Sequence, residues 1–462
     1  MTSTHDVHHL PQYHVRLARG YLNDPNGPIE LDGTTHLYFQ SRPHADTAVP
    51  VQWGHATSND LVNWTLHRPA MSPMPGGLDS DGCWSGNTVS DGDRVRAFYS
   101  GKVDHSPYQS VLTAVSDADG TNFSQPVQVL ADPTPEEGIT MFRDPFVWRD
   151  ESGWSMVVGA AGPDSTAMMR HYRSSDGMDW AYRGDLSRLR RTLFDGVDTG
   201  EGWECPQILH VDGREVALVS SWSHQDGPGA VLAFPVDASP EPRRVDDGHN
   251  FYAASVMRES SRGPIVFGWI TEGREDARWQ QAGWAGAISL PRRAWLDNDQ
   301  LCTEPHPAVE TLRIGAARLA DEATIDAQAE ILVPAVSGTV RLRFGADEWL
   351  DVSLDIEAGT VTLDRSTVNL DPEPGTERAV STYAFADRDL PAARIFLDGS
   401  VVEVFTSVGR SITSRVYPTA PPPWSVEAPL GTTVWDLANS ISPAAEPATT
   451  RAATPITVMQ TT

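Results

Sequence analysis

Three acidic residues sit in short, proline-framed motifs: Asp24 in Asn23-Asp24-Pro25-Asn26-Gly27, Asp144 in Phe142-Arg143-Asp144-Pro145, and Glu204 in Trp203-Glu204-Cys205-Pro206. Two carboxyl groups flanking a glycosidic bond suffice to hydrolyse it, one attacking the sugar or activating water and the other protonating the leaving oxygen. Proline and glycine fix the backbone around Asp24, and the flanking amides can bond substrate hydroxyls, which suits a rigidly held nucleophile. Arg143 beside Asp144 favours the ionised carboxylate, a setting for hydroxyl binding or charge stabilisation rather than proton donation. Glu204 stands between Trp203 and Cys205, apolar neighbours that favour the neutral acid, and is the best proton donor of the three. Singly the motifs are ordinary, because Asp-Pro and Asn-Gly pairs build turns and adjacent Arg and Asp usually form a solvated pair.

Their spacing is what sets them apart. Asp24 and Asp144 are 120 residues apart, Asp144 and Glu204 are 60 apart, and the midpoint of the longer gap falls on Trp84-Ser85-Gly86-Asn87. Each of these four points leads into a β-rich run, a turn (Asp32-Gly33, Asp91-Gly92, Ser152-Gly153, Asp212-Gly213) and a second β-rich run. Asp-Gly between such runs marks a hairpin, since the turn needs positive φ and glycine supplies it freely. A looser fifth copy runs from Phe251 to Met257, turns around Ser261-Arg262-Gly263, and continues from Pro264 to Ile270. A second repeat is in phase with the first, closing on Trp64, Phe123 and Trp180 at intervals of 59 and 57 residues. Self-similarity at this period, built of hairpins, predicts a β-propeller with four strands per blade. Five blades fit between about residues 15 and 300. Equivalent positions of a closed radial array converge on its axis, which is how carboxylates far apart in the chain would share one pocket.

At 462 residues the chain is long for one domain. Beyond about residue 300 the beat stops, and short alternating runs such as Thr339 to Phe344, Trp349 to Ile356 and Ser400 to Phe405 read as a sandwich with one buried face per strand. The expectation is an all-β chain: a five-bladed propeller over 1–300, a linker over 301–320, a β-sandwich over 321–440, and a flexible tail rich in Ala, Thr and Pro over 441–462.

A formal charge of −27 argues against nucleic acid or an anionic membrane as partner, since both would be repelled, and suits a neutral substrate. Cys83, Cys205 and Cys302 are odd in number and lack paired spacing, so neither a disulfide framework nor a zinc site is indicated. The N-terminus has no basic start and no apolar core of a signal peptide, and no run is long enough to span a membrane. The expectation is a cytoplasmic protein. His5, His8, His9 and His14 read as part of a mobile terminus and not as a metal site, for want of partners at ligand spacing. Three carboxylates could hold a cation in a propeller channel, but calcium sites concentrate oxygen ligands within one loop. No metal or cofactor is expected.

These motifs resemble those of the β-fructofuranosidases, the invertases, inulinases and levanases of glycoside hydrolase family 32, over nearly the whole chain. Pro11-Gln12-Tyr13-His14 leading into Leu22-Asn23-Asp24-Pro25-Asn26-Gly27 resembles the family's opening motif, and this implies Asp24 as nucleophile. Phe142-Arg143-Asp144-Pro145 resembles the block whose aspartate stabilises the transition state, and Glu204-Cys205-Pro206 the acid/base block. By the same resemblance Asn23, Gln40 and Trp53 line the fructose pocket, and Trp84, Ser85 and Arg143 complete the expected substrate-binding set. The segment from Gly283 to Arg292 and Val401-Val402-Glu403-Val404-Phe405 are similar to the family's propeller exit and C-terminal sandwich. Tyr21 replaces a usual tryptophan, Asn250 a usual aspartate, and Gln40-Ser41-Arg42-Pro43 a Tyr-Asn-Pro run. These departures leave the three acids untouched and bear on whether the leaving part is that of sucrose, an inulin-type or a levan-type fructan. The resemblance implies a retaining, exo-acting β-fructofuranosidase without cofactor; the alternatives are a fructosyltransferase and an inactive fructan-binding protein.

Overall fold

A computed structural model describes residues 7–43, 48–104, 108–194, 196–320, 323–368, 377–382 and 392–443. Residues 20–305 fold into five antiparallel blades of four strands each. Blade I comprises Gly20–Leu31, Thr34–Arg42, Gln52–Ser58 and Trp64–Leu66; blade II comprises Gly82–Asp91, Arg94–Lys102, Ser110–Val115 and Val127–Leu130. Blade III comprises Met141–Asp150, Gly153–Gly162, Thr166–Ser174 and Ala181–Arg190, and blade IV Gly202–Val211, Arg214–Ser223, Gly227–Pro235 and Arg243–Arg244. Blade V comprises Phe251–Met257, Ile265–Ile270, Arg292–Asp297 and Gln300–Pro305. The Asp-Gly turns behave as expected: Asp32 and Gly33 have φ of 46° and 81°, Asp212 and Gly213 of 51° and 79°, the paired positive values of a tight hairpin turn.

The first strand of every blade lies innermost, against its counterparts in the neighbouring blades, and that of blade V meets that of blade I. Closure is reinforced where Trp284–Ala285 pairs in parallel with Gly20 and Tyr21. Side-chain amides tie the inner strands together. Asn87 donates to the Val147 carbonyl at 2.7 Å and accepts from the Val147 amide at 2.8 Å, and Gln207 accepts from the Val256 amide at 3.1 Å. Apolar wedges fill the gaps between blades, for example Phe146, Trp203, Ile208, Leu218 and Phe251.

The C-terminal part is a sandwich of two six-stranded sheets. One runs Arg313–Leu319, Thr433–Leu437, Gln328–Val333, Ala393–Asp398, Val401–Thr406 and Ser411–Arg415; the other Thr324–Ile325, Trp424–Glu427, Gly338–Arg343, Trp349–Asp355, Thr360–Asp364 and Arg378–Thr382. Alternation puts Val340, Leu342, Leu350, Val352 and Leu354 into its core. The tail expected from residue 441 begins as a strand, Ile441–Pro443, paired in parallel with Trp64–Leu66 of blade I; the rest of that tail lies outside the described residues.

Propeller and sandwich meet across buried charges. Arg292 of blade V bonds Asp246 at 2.9 Å and Glu403 at 2.5 Å, and His14 bonds Asp398 at 2.9 Å and Glu403 at 2.8 Å, with the side chains essentially unexposed. The N-terminal segment read as mobile is therefore docked. His8 and His9 reach the Pro418 carbonyl, and the amides of Gln12, Tyr13 and His14 donate to the Asp398 carboxylate. A carboxylate on a sandwich strand holds it, and that partner is more than 380 residues away. His5 lies outside the described residues. Among the described residues no helix is long and apolar enough to cross a membrane.

Candidate active site

The recurring motifs turn out to be β-bulges. In every blade the inner strand advances three residues while its partner advances two: Leu22 to Pro25 against Ser41 to Phe39, Cys83 to Gly86 against Gly101 to Tyr99, and Arg143 to Phe146 against Gly159 to Val157. The same slip spans Glu204 to Gln207 and Tyr252 to Ser255. A bulge re-aims side chains and ends regular pairing at a functional edge. Asp144, Cys205 and Ala253, the middle residues of three successive bulges, all have positive φ (63°, 46° and 47°), a strain that ordinary strand residues avoid. This register refines the even beat. Asp24 occupies the third position of its bulge, Asp144 the second and Glu204 the first, so the acids reach the axis from three different positions rather than one.

The three acids come together as expected, through neighbours they share. The Cys205 thiol lies 3.7 Å from Asp24 Oδ2 and 3.7 Å from Asp144 Oδ2, and the Cys205 amide donates to Asp144 Oδ2 at 3.0 Å. Ser85 donates its one proton to Asp24 Oδ2 at 2.5 Å while accepting from the Gln40 amide at 2.5 Å; Gln40 also reaches Asp24 Oδ2 at 3.2 Å. Asn23 links Gln40 at 2.7 Å to Asp24 Oδ1 at 3.2 Å. Burial drives Asp24 up to about 6; the Ser85 hydrogen bond opposes this and the charge of Glu204 adds to it. Burial likewise pushes Asp144 up to about 7, against the pull of Arg143 and with the help of Glu204.

Glu204 is held from both sides. Arg143 Nη2 donates to its Oε1 at 2.5 Å, and the Tyr252 hydroxyl donates to its Oε2 at 2.5 Å. Arg143, Glu204 and Tyr252 open the bulges of three consecutive blades, so one row of the ring brings them into line. The Arg143 guanidinium sits between the indoles of Trp84 and Trp222, at 5.6 and 5.1 Å from the ring centroids, a placement that favours a cation.

Several expectations change here. Arg143 was expected to keep Asp144 ionised; burial outweighs its pull from 4.0 Å and raises that carboxyl to about 7, while Arg143 donates to Glu204 at 2.5 Å and to Gln109 at 3.4 Å. Trp203, read as an apolar cover for Glu204, faces the other way into the blade core against Phe234, because successive strand residues point to opposite faces. Trp53 has no exposed surface, so it does not line the pocket. It packs on Tyr99 and donates to the Trp84 carbonyl at 2.9 Å, supporting the segment that does. Asn250 is not at the acids: it bonds Thr271 and accepts from the Arg415 amide, at the junction with the sandwich. Tyr21 packs against Trp279 of the helix Asp276–Ala282 and against Trp269. Tyr252 and Trp222 were not anticipated. Tyr252 follows Glu204 by only 48 residues, off the beat, and its bulge shows only in the strand register.

The family model for the glycosyl hydrolases family 32 N-terminal domain matches residues 14–305, and that for the family 32 C-terminal domain matches residues 299–436. A sucrose-6-phosphate hydrolase of Escherichia coli is 28% identical over 88% of this chain and 89% of its own length. A raffinose invertase of the same organism is 29% identical over 89% and 90%. Among solved structures, a sucrose-6-phosphate hydrolase from Lactobacillus gasseri superposes with a TM-score of 0.80 at 21% identity, over 94% of both chains. A fructan 1-exohydrolase from Cichorium intybus, in complex with 1-kestose, gives 0.78 at 21% identity over 95% of this chain and all of that one. With both family models matched in order along the length, the chain belongs to glycosyl hydrolase family 32 and is a glycoside hydrolase.

Proposed function

We propose that the protein is a retaining, exo-acting β-fructofuranosidase that releases terminal fructose from uncharged fructosides. The observation that carries this is the gathering of Asp24, Asp144 and Glu204 from three blades, with the Cys205 thiol 3.7 Å from the first two and Glu204 preceding Cys205 in the chain. Asp24, wired to Ser85 and Gln40, attacks the anomeric carbon while Glu204 protonates the leaving oxygen. Glu204 then takes a proton from water, which cleaves the fructosyl ester. Asp144, pushed to about 7, both accepts from and donates to fructose hydroxyls near neutral pH. The relatives named for sucrose 6-phosphate and raffinose hydrolysis support the fructoside class.

A phosphoryl group fits poorly. The cation touching the acids, Arg143, is already engaged by Glu204, and the chain carries −27 overall. Three buried cysteines without disulfides suit the reducing cytoplasm. The test is release of free fructose from sucrose, raffinose, 1-kestose, inulin and levan. Release from none of them sinks the proposal. From concentrated sucrose, new oligosaccharides exceeding free fructose would make the enzyme a transferase instead.

A further inference from the structure

The Tyr252 hydroxyl has one proton and two acceptors in reach: Glu204 Oε2 at 2.5 Å and the Ser221 carbonyl at 3.1 Å. The other carboxylate oxygen, Glu204 Oε1, is taken by Arg143 at 2.5 Å. A guanidinium has only donors. The adjacent cation disfavours a proton on Oε1, so the proton of the acid form is favoured on Oε2. There it faces a hydroxyl that can accept as well as donate, provided the hydroxyl turns its own hydrogen elsewhere.

We propose that Tyr252 is a two-position switch: its hydrogen points to Glu204 Oε2 while the carboxylate is ionised and turns to the Ser221 carbonyl when Oε2 is protonated. The inference rests on the reading of Glu204 as acid and base. No proton leaves Tyr252; as the leaving oxygen takes the proton of Glu204 Oε2, the hydrogen bond from Oε2 to the Tyr252 oxygen is given up and the hydroxyl rotates about its C–O bond to return its own hydrogen to Oε2, and the sequence reverses when Oε2 takes a proton from water. Burial, with the charge of Glu204 next to it, raises the Tyr252 hydroxyl well above its ordinary range, so the hydroxyl keeps its proton throughout. The ring is buried, packed with Cys205 and Ala253 and edge-on to Trp269 at 6.5 Å; only the hydrogen needs to move. The arrangement lets one side chain hold Glu204 in the same place in both halves of a double displacement. Tyr252 is thus a positioning residue acting through Glu204.

The test is Tyr252→Phe, compared on sucrose and on an activated aryl fructoside. Sucrose needs its leaving oxygen protonated, so kcat/KM should fall about tenfold to a hundredfold, part of the ~10²–10⁴-fold that general acid catalysis supplies. With the aryl substrate, formation of the fructosyl-enzyme should be nearly unchanged. In a Glu204→Ala background, Tyr252→Phe should add no further loss on the aryl substrate. Charged and titratable groups facing this pair are Arg143, Asp144, Asp24 and Cys205. Equal losses on both substrates, or full activity on sucrose, would overturn the switch. Should Glu204→Ala itself fail to separate the two substrates, the assignment of Glu204 fails instead, and the two failures are distinct.

Discussion

Arg143 Nη2 stands 2.5 Å from Glu204 Oε1 in the next blade of the ring, with the guanidinium clamped between Trp84 and Trp222. The clamp and the hydrogen bond together ask for a planar, delocalised cation. Arg143→Lys keeps the charge but loses the fork and the stacking. Its kcat/KM on sucrose should fall by about a hundredfold, a loss on the scale of one misaligned catalytic group, while the protein remains folded by circular dichroism. Activity within a factor of three of the parent would remove Arg143 from the machinery.

Asp24 and Asp144 are raised by burial to about 6 and about 7 from an ordinary 3.8. A folded-state value above the unfolded one means the folded state binds the proton more tightly. Each carboxylate therefore costs stability once it ionises, an effect absent below the unfolded value and complete above the folded one. Asp24→Asn should lose nearly all turnover and yet melt higher than the parent at pH 8, by about 1–3 kcal/mol at 1.36 kcal/mol per unit. The advantage should vanish below about pH 4. Melting curves across pH check the sign; a variant less stable at pH 8 contradicts it.

Glu204 and Asp144 separate by leaving group. Glu204→Ala should cripple sucrose hydrolysis but spare attack on an activated aryl fructoside, leaving a fructosyl-enzyme that azide clears, since azide needs no general base. Asp144→Ala should be slow on every substrate and gain nothing from azide. Azide rescue of Asp144→Ala alone would exchange the two assignments.

Burial alone would lower His14 from 6.5, but its hydrogen bonds to Asp398 and Glu403 outweigh it and hold it higher; burial would raise these two carboxylates, and their buried cationic partners hold both lower. The stability from His14 is complete below 6.5 and fades as pH rises through its folded value. That from Asp398 and Glu403 is complete above about 4.5 and fades as pH falls through theirs. The contribution of this cluster should therefore be flat between about pH 4.5 and 6.5, superimposed on the decline in melting temperature as Asp24 and Asp144 ionise over the same range. Arg292→Met, which leaves Asp246 buried without its cation and Glu403 with His14 alone, should cost about 3–5 kcal/mol in denaturant unfolding. A cost below about 1 kcal/mol would place the pair among surface-type bridges.

With Arg143 committed to Glu204, sucrose should be hydrolysed with a higher kcat/KM than sucrose 6-phosphate, by about tenfold or more, the equivalent of one unfavourable charge contact of about 1.4 kcal/mol. A preference for the phosphorylated sugar, measured with both substrates at equal ionic strength, would reverse the argument.

The sequence by itself determined the five hairpin repeats, the sandwich after them and the three acids, because turns at Asp32-Gly33 and Asp212-Gly213 and the alternation in the sandwich strands are local properties of the chain. Chain spacing also sufficed to bring Asp24, Asp144 and Glu204 together, since a closed ring delivers its inner strands to one axis whatever their separation. What each side chain meets there was decided only in three dimensions. Arg143 is beside Asp144 in the chain but bonds Glu204; Trp53 is sealed beneath Trp84; Tyr252 joins Glu204 from a blade whose offset breaks the beat; and His14 finds Asp398 across the whole molecule. The direction of a side chain at a bulge depends on a one-residue slip in strand pairing. Burial and charge, moreover, are sums over every element packed around a group, and those sums do not exist until the ring and the sandwich have closed on each other.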